Sequence, residues 1–208
     1  MKGETIFNAA HIISETCRQI DAMFQAIEPK ILELEENSFL TYMESTDYEL
    51  KDKTGWLDVS YMDNYEFAPR RSKRTIHIAF CSHIYNTAEN KAVNGWEPSL
   101  YVMIAYCENE IGWDLDNNNF NLHSAISDGY NLKGQQLWTI YASPKDYGCT
   151  FVVPLVAISD ERTLHDKIIT PAFRIAESLA KSDSMEKLDA PSIACRFTFE
   201  EDQLTILK

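Results

Sequence analysis

Apolar positions near the N-terminus recur at helical spacing. Ile6, Ala10, Ile13, Cys17, Ile20, Phe24, Ile27, Ile31 and Leu34 follow one another at steps of three and four residues. Such steps lay side chains along one stripe of a helix, here covering roughly the first 37 residues. The other face carries Glu15, Arg18, Gln25 and Glu33 and is expected to meet water. Pro29 offers no N–H, and its ring strikes the preceding turn, so the helix is expected to kink or divide near it.

From residue 39 the spacing becomes alternating. FLTYM, GWLDVSYM, RTIHIAFCSHIY and PSLYVMIAYCE are rich in aromatic and β-branched residues. Loops bearing Gly, Asn, Pro or Asp separate them, which is the pattern of strands. A polar stretch at 111–135 reads as a loop. QLWTIYAS and CTFVVPLVAI read as two further strands, turning through Ser143, Pro144, Asp146 and Gly148.

The helical period returns in ISDERTLHDKIITPAFRIAESLAKS. Leu164, Ile168, Ala172, Ile175 and Leu179 form its buried stripe. Ser159 or Asp160 supplies the cap, and acidic residues in the first turn suit the positive end of the helix. Pro171 predicts a break, with Thr170 as a second cap. SIACRFTF and QLTIL, joined across EEDQ, predict a closing hairpin. The expectation is one α+β domain over residues 1–208. It has a long N-terminal helix kinked near Pro29, a mainly antiparallel sheet of six to eight strands, a helical segment at about 160–181 and a C-terminal β-hairpin.

Composition narrows the class. The chain has 208 residues, 45 % of them hydrophobic and 25 % charged, the balance of a globular protein. The apolar-rich run YGCTFVVPLVAIS contains Pro154 and is too short to span a bilayer. The first 17 residues include Glu4 and Glu15 and lack the plan of a signal peptide, so a cytoplasmic protein is expected. Cys17, Cys81, Cys107, Cys149 and Cys195 are 26 to 64 residues apart, which fits packed thiols better than a disulfide framework or a zinc knuckle.

Charge and glycine content exclude further classes. A net charge of −13 repels nucleic acid and favours association with basic partners. Seven glycines and no glycine-rich loop argue against nucleotide-cradling enzymes. No serine or cysteine sits in the context of a nucleophile elbow.

Four stretches carry candidate chemistry. GWDLDNNNFNLHSA fits the twelve-residue calcium pattern at its first three ligand positions, Asp114, Asp116 and Asn118. Asn119 stands where that pattern has glycine, and Ala125 where it has the bidentate glutamate, so a plain loop is expected. Arg70, Arg71, Lys73 and Arg74 in RRSKR could grip a phosphate, with Tyr61, Tyr65 and Phe67 nearby to stack on bases. A solvated loop is the simpler reading. Alternation places His77, Cys81 and His83 on one face of a strand, with Cys107 on the next, but residues 77 and 83 lie about 20 Å apart. Glu108, Glu110, Asp114 and Asp116 gather carboxylates that could hold a metal. Asp47, Glu49 and Lys51 include a nuclease-like Glu-x-Lys pair, but lack the aspartate that should precede it.

The function expected from these features is a non-catalytic, acidic, cytosolic protein-interaction module. Inhibitors, immunity factors and counter-defence proteins of bacteria or phage are of this kind. Another protein is the expected partner, homo-oligomers are compatible, and neither cofactor, membrane nor nucleic acid is expected. The alternatives are a metal-dependent nuclease or hydrolase built on the carboxylate cluster and the basic loop, and a small-molecule-binding domain. Because Ala125 replaces the bidentate ligand, millimolar calcium is expected to move Tm by less than about 2 °C in a thermal melt. A shift of about 8 °C would restore the calcium site.

Overall fold

The computed structural model describes residues 3–51, 58–70, 72–84, 93–108, 122, 125, 128–141, 146–182, 185–200 and 203–207. The N-terminal stripe forms two helices, α1 (Gly3–Gln25) and α2 (Ile27–Glu35), which divide at Ala26. The division lies one turn before Pro29. An unbroken ladder would need residue 29 to donate to the Gln25 carbonyl, and proline has no N–H to give. Ile20, Phe24, Ile27 and Ile31 are buried, whereas Ala10 and Ile13 of the same stripe are exposed. Among the described positions of the stripe, Cys17 is half-buried and full cover begins at Ile20.

Seven strands form one antiparallel sheet. They are β1 (Leu40–Lys51), β2 (Asp58–Pro69), β3 (Thr75–His83), β4 (Ser99–Cys107), β5 (Asn131–Lys133), β6 (Leu137–Tyr141) and β7 (Tyr147–Pro154). Their order across the sheet is β1-β2-β3-β4-β7-β6-β5. β8 (Arg196–Glu200) and β9 (Gln203–Leu207) form the C-terminal hairpin. The α+β architecture and the strand count match the expectation.

Alternation along the strands splits the core in two. Ile76, Ile78 and Phe80 of β3 face the helices and pack in one cluster with Ile27, Ile31, Ile168, Ala172 and Leu179. Ala79 and Cys81 face the opposite way, toward a second cluster containing Tyr101, Trp138, Val152, Phe197, Leu204 and Ile206. The hairpin therefore covers the face that the helices do not. Its backbone is tied down where Cys195 N–H donates to Val152 O and Phe197 N–H to Gln135 O, both at 2.7 Å. Gly148 allows close packing inside the sheet, because a Cβ there would lie 2.7 Å from the Ile104 carbonyl oxygen.

Several boundaries differ from the sequence expectation. β2 continues past Met62 to Pro69, since Tyr65 and Phe67 keep alternating into the core despite polar neighbours. The stretch 111–135 was expected to be loop throughout, but residues 131–133 pair with β6 as β5. After Pro154 the chain leaves the sheet in a 3₁₀ turn, Leu155–Ala157. SIACRFTF becomes strand only at Arg196, after a turn in which Ala194 N–H donates to Pro191 O.

The second helical segment has Asp160 as its cap, whose carboxylate accepts from Thr163 N–H at 2.7 Å. This bond holds the Asp160 carboxyl below its usual range. Pro171 does not break the segment. The helix runs from α3 (Glu161–Leu164) through one π-helical turn (His165–Ile169) into α4 (Thr170–Ser182). Thr170 N–H donates to His165 O, five residues back. Widening the turn relieves the clash of the proline ring with the Lys167 carbonyl, so a second cap is not needed. Among the described residues, no helix is long and apolar enough to cross a membrane.

Candidate functional site

A cleft of about 470 Å³ opens where the α1–α2 junction meets the β1–β2 edge of the sheet. The alternation of β2 places Tyr61, Asp63, Tyr65 and Phe67 on the helix-facing side. Tyr65 and Phe67 are buried, Tyr61 packs edge-on against Phe24 at 4.4 Å between ring centres, and Asp63 takes an inward position among them. The register sets Asp47 of β1 directly opposite Asp63. Directly opposed residues bring their Cβ atoms to about 5 Å, so the two carboxylates repel. Asp21 of α1 and Glu28 of α2 line the cleft from the helix side, and among the described residues no lysine or arginine joins them.

Asp63 responds to these surroundings. Burial pushes its pKa up to about 6, and the charges of Asp47 and Glu28 act in the same direction. Hydrogen bonds from Tyr65 and Tyr61 oppose the rise, with Tyr65 Oη donating to Asp63 Oδ2 at 3.1 Å. Burial and the nearby Asp63 charge raise the Tyr65 pKa well above its ordinary value, so its hydroxyl remains a donor. Near neutral pH the cleft is negative and partly desolvated, with an aromatic wall. Such a site attracts an organic cation through charge and through the ring faces. Among the described residues the titratable side chains of the lining are carboxylates and tyrosines, with no histidine, cysteine or lysine. Among the described residues, no group of three or more potential ligands converges tightly enough to hold a metal ion.

The residues singled out in the sequence do not meet at one place. Tyr61 and Tyr65 line the acidic cleft. Arg70 follows the far end of β2, nine residues from Tyr61, or roughly 30 Å along the strand. Arg70 and Lys73 are exposed, and Arg71 lies outside the described residues. Arg74 is not solvated. Its guanidinium lies 3.7 Å from the centre of the Tyr106 ring and 4.8 Å from that of Tyr147, and the residue retains 9 % exposure. Ser72 supports the arrangement, its hydroxyl accepting from Arg74 N–H and bonding the Tyr106 hydroxyl, both at 3.0 Å. Arg74 thus anchors the β2–β3 turn to β4 and β7, leaving no contiguous four-cation patch.

Of the carboxylate cluster only Glu108 is described. It is exposed, and its backbone N–H donates to Asp146 Oδ1 at 2.9 Å. Glu110, Asp114 and Asp116 lie outside the described residues, as do Asn118 and Asn119 of the calcium pattern. Ala125, at the pattern's last ligand position, is fully buried in the hairpin-side cluster. His77, Cys81 and His83 belong to one strand, with Cys81 Sγ 3.4 Å from His83 Nε2. Burial pushes the Cys81 thiol up to about 12 and both histidines down to about 4, so this face is neutral and unreactive at pH 7. Cys107 sits near Thr75, 3.8 Å from its hydroxyl, at the opposite end of β3 from Cys81.

Asp63, Asp21 and Glu28 escaped the sequence reading, which singled out Tyr61 and Tyr65 for base stacking and Asp47 for a nuclease-like stretch. The one local signal is an aspartate on the inward side of the alternating run YMDNYEF. Its partner Asp47 is set by strand register and Glu28 by helix placement. No family model, curated protein or solved structure matches the chain. Fold and cleft together define an α+β protein whose antiparallel sheet is covered by helices on one face and a hairpin on the other, with an acidic cleft at one edge.

Two outcomes test these assignments. Arg74→Ser is expected to lower the unfolding free energy by about 2 kcal/mol in chemical denaturation, because it removes a desolvated cation–ring contact. Arg70→Ser and Lys73→Ser should stay within about 0.5 kcal/mol of wild type. The second outcome concerns Asp63. Its folded pKa near 6 exceeds the ordinary 3.8. Its contribution to stability is therefore complete below about pH 4 and lost as pH rises through 6. Relative to Asp63→Asn, wild type is expected to lose about 2–3 kcal/mol between those limits. Parallel stability–pH curves for the two proteins would refute the raised pKa.

Proposed function

We propose that the protein is a non-catalytic interaction module that uses its acidic cleft to take a lysine or arginine side chain from a protein partner. One observation carries this reading. Among the described residues, four carboxylates and no basic side chain line the cleft, and Asp63 is partly desolvated there against the charge of Asp47. A cation from outside relieves that repulsion. The aromatic wall formed by Phe24 and Tyr61 suits the alkyl stem and charged head of a basic side chain. The net charge of −13 would steer a basic partner toward the surface and speed its approach. Five thiols, four of them buried, suit a reducing cytoplasmic setting.

The cleft volume also falls in the range of small-molecule sites, which supports a second reading as a receptor for a small organic cation. Titration with a fluorescent arginine- and lysine-bearing peptide, against a citrulline- and glutamine-bearing control, tests the first reading. Binding should be selective for the basic peptide and weaken with salt. It should fall about tenfold from pH 7.5 to pH 5, because protonated Asp63 no longer attracts the cation. Asp47→Asn combined with Asp63→Asn should abolish it. Binding that survives the double substitution, or no binding at about 1 mM peptide, would refute the proposal. Spermidine bound more tightly than the peptide would favour the second reading.

A further inference from the structure

β1 spans 12 residues and is an edge of the sheet, whereas the opposite edge, β5, has 3. Folded proteins keep edge strands short or guarded, because an unpaired row of N–H and C=O groups accepts another strand. Among the described residues β1 pairs with β2 alone. Residues 43–47 are all exposed, so neither face of this part is packed away from water.

Negative charge lies on both faces of the strand. Alternation turns Ser45 and Asp47 to the helix side and Glu44 and Thr46 to the other. Asp47 stands opposite Asp63 in the cleft, and on the other face Glu44 stands opposite Glu66. Like charges directly opposed across a ladder are destabilising, and here each face has such a pair. Met43 has no register partner and marks a bulge between Tyr42 and Glu44, where the regular run begins.

These charges decide what can join the edge. A second copy would bring its own carboxylates to the same place, adding like charge to like. A neutral strand would leave both repulsions standing. A basic strand relieves both, provided that one cation lies beside Asp47 and another beside Glu44. Those positions are three residues apart and face opposite sides of the sheet. The cations must therefore stand at i and i+3 of the added strand. Main-chain bonds to the open edge would supply attachment, and the alternating side chains selectivity.

We infer that a partner segment docks on β1 as an added strand, its lysine or arginine residues at i and i+3 set beside Asp47 and Glu44. The residue beside Asp47 is the one that enters the cleft. The inference thus rests on the cleft as a site for a basic side chain, and adds the form of the segment that carries it. Glu44 lies outside the cleft lining, which separates the two readings.

Two short threonine- and valine-rich peptides, capped at both ends, test the spacing. One carries arginines at i and i+3, the other at adjacent positions. No two acidic residues of β1 are adjacent, so the second peptide meets one carboxylate at a time. In a fluorescence titration the first is expected to bind about threefold more tightly, the worth of one exposed ion pair. Glu44→Gln should remove that advantage, whereas Asp63→Asn should weaken both peptides alike. Methylating the backbone nitrogens of alternate residues gives two further peptides, since successive N–H groups of a strand point to opposite edges. One should lose about tenfold or more in affinity, because its main-chain bonds to β1 go, and the other should bind as before. Equal affinity for the two spacings overturns strand docking and leaves the cleft reading in place. Equal behaviour of the two methylated peptides, or a spacing preference that survives Glu44→Gln, does the same. Failure of every arginine peptide to bind at about 1 mM overturns both readings.

Discussion

The rest of the structure depends on burying β4 along both faces. All nine of its residues are buried, and β3 and β7 complete its backbone hydrogen bonding on either side. Antiparallel sheets often leave one face to water. Here the centre cannot, because Tyr101 and Met103 point one way while Leu100, Val102 and Ile104 point the other. Two covers are therefore required, and they come from distant parts of the chain. Helices on one side and the C-terminal hairpin on the other remove both sets of side chains from water. Lys133 ties the connection between them, donating to the carbonyl oxygens of Met185, Glu186 and Leu188 at 2.6 to 2.9 Å.

Cover weakens toward the β1–β2 edge, and the chemistry lies there. The inward position held by Phe80 on β3 is held by Asp63 on β2 and by Asp47 on β1. Carboxylates on an outer strand also discourage pairing with another sheet edge. One feature of composition thus protects the edge and charges the cleft. α1 likewise outruns its cover, being buried at Ile20 and exposed at Ile13.

Much of the fold was legible because it rests on local repeats. A two-residue period placed Ile76, Ile78 and Phe80 opposite His77 and Cys81, and the structure has them so. A 3.6-residue period with an acidic cap placed the helix beginning after Asp160. Proline marked the division between α1 and α2, since a missing N–H acts within one turn. Pro171 misled because a helix can widen into a π-turn instead of stopping, and the packing of Ile168, Ile169 and Ala172 favours continuity. The candidate site was far less legible. RRSKR reads as four equivalent cations, but the rings that enclose Arg74 come from residues 106 and 147.

The sequence by itself determined the α+β class, the period of each element and the excess of negative charge, because these depend on neighbours a few positions away. Only the tertiary structure decided that Asp47 faces Asp63, that Glu28 stands above them and that Arg74 is enclosed by tyrosines. Register sets such meetings. It results from packing the whole sheet against both covers, and a shift of one residue would turn Asp63 away from the helices. Local spacing carries no record of that choice.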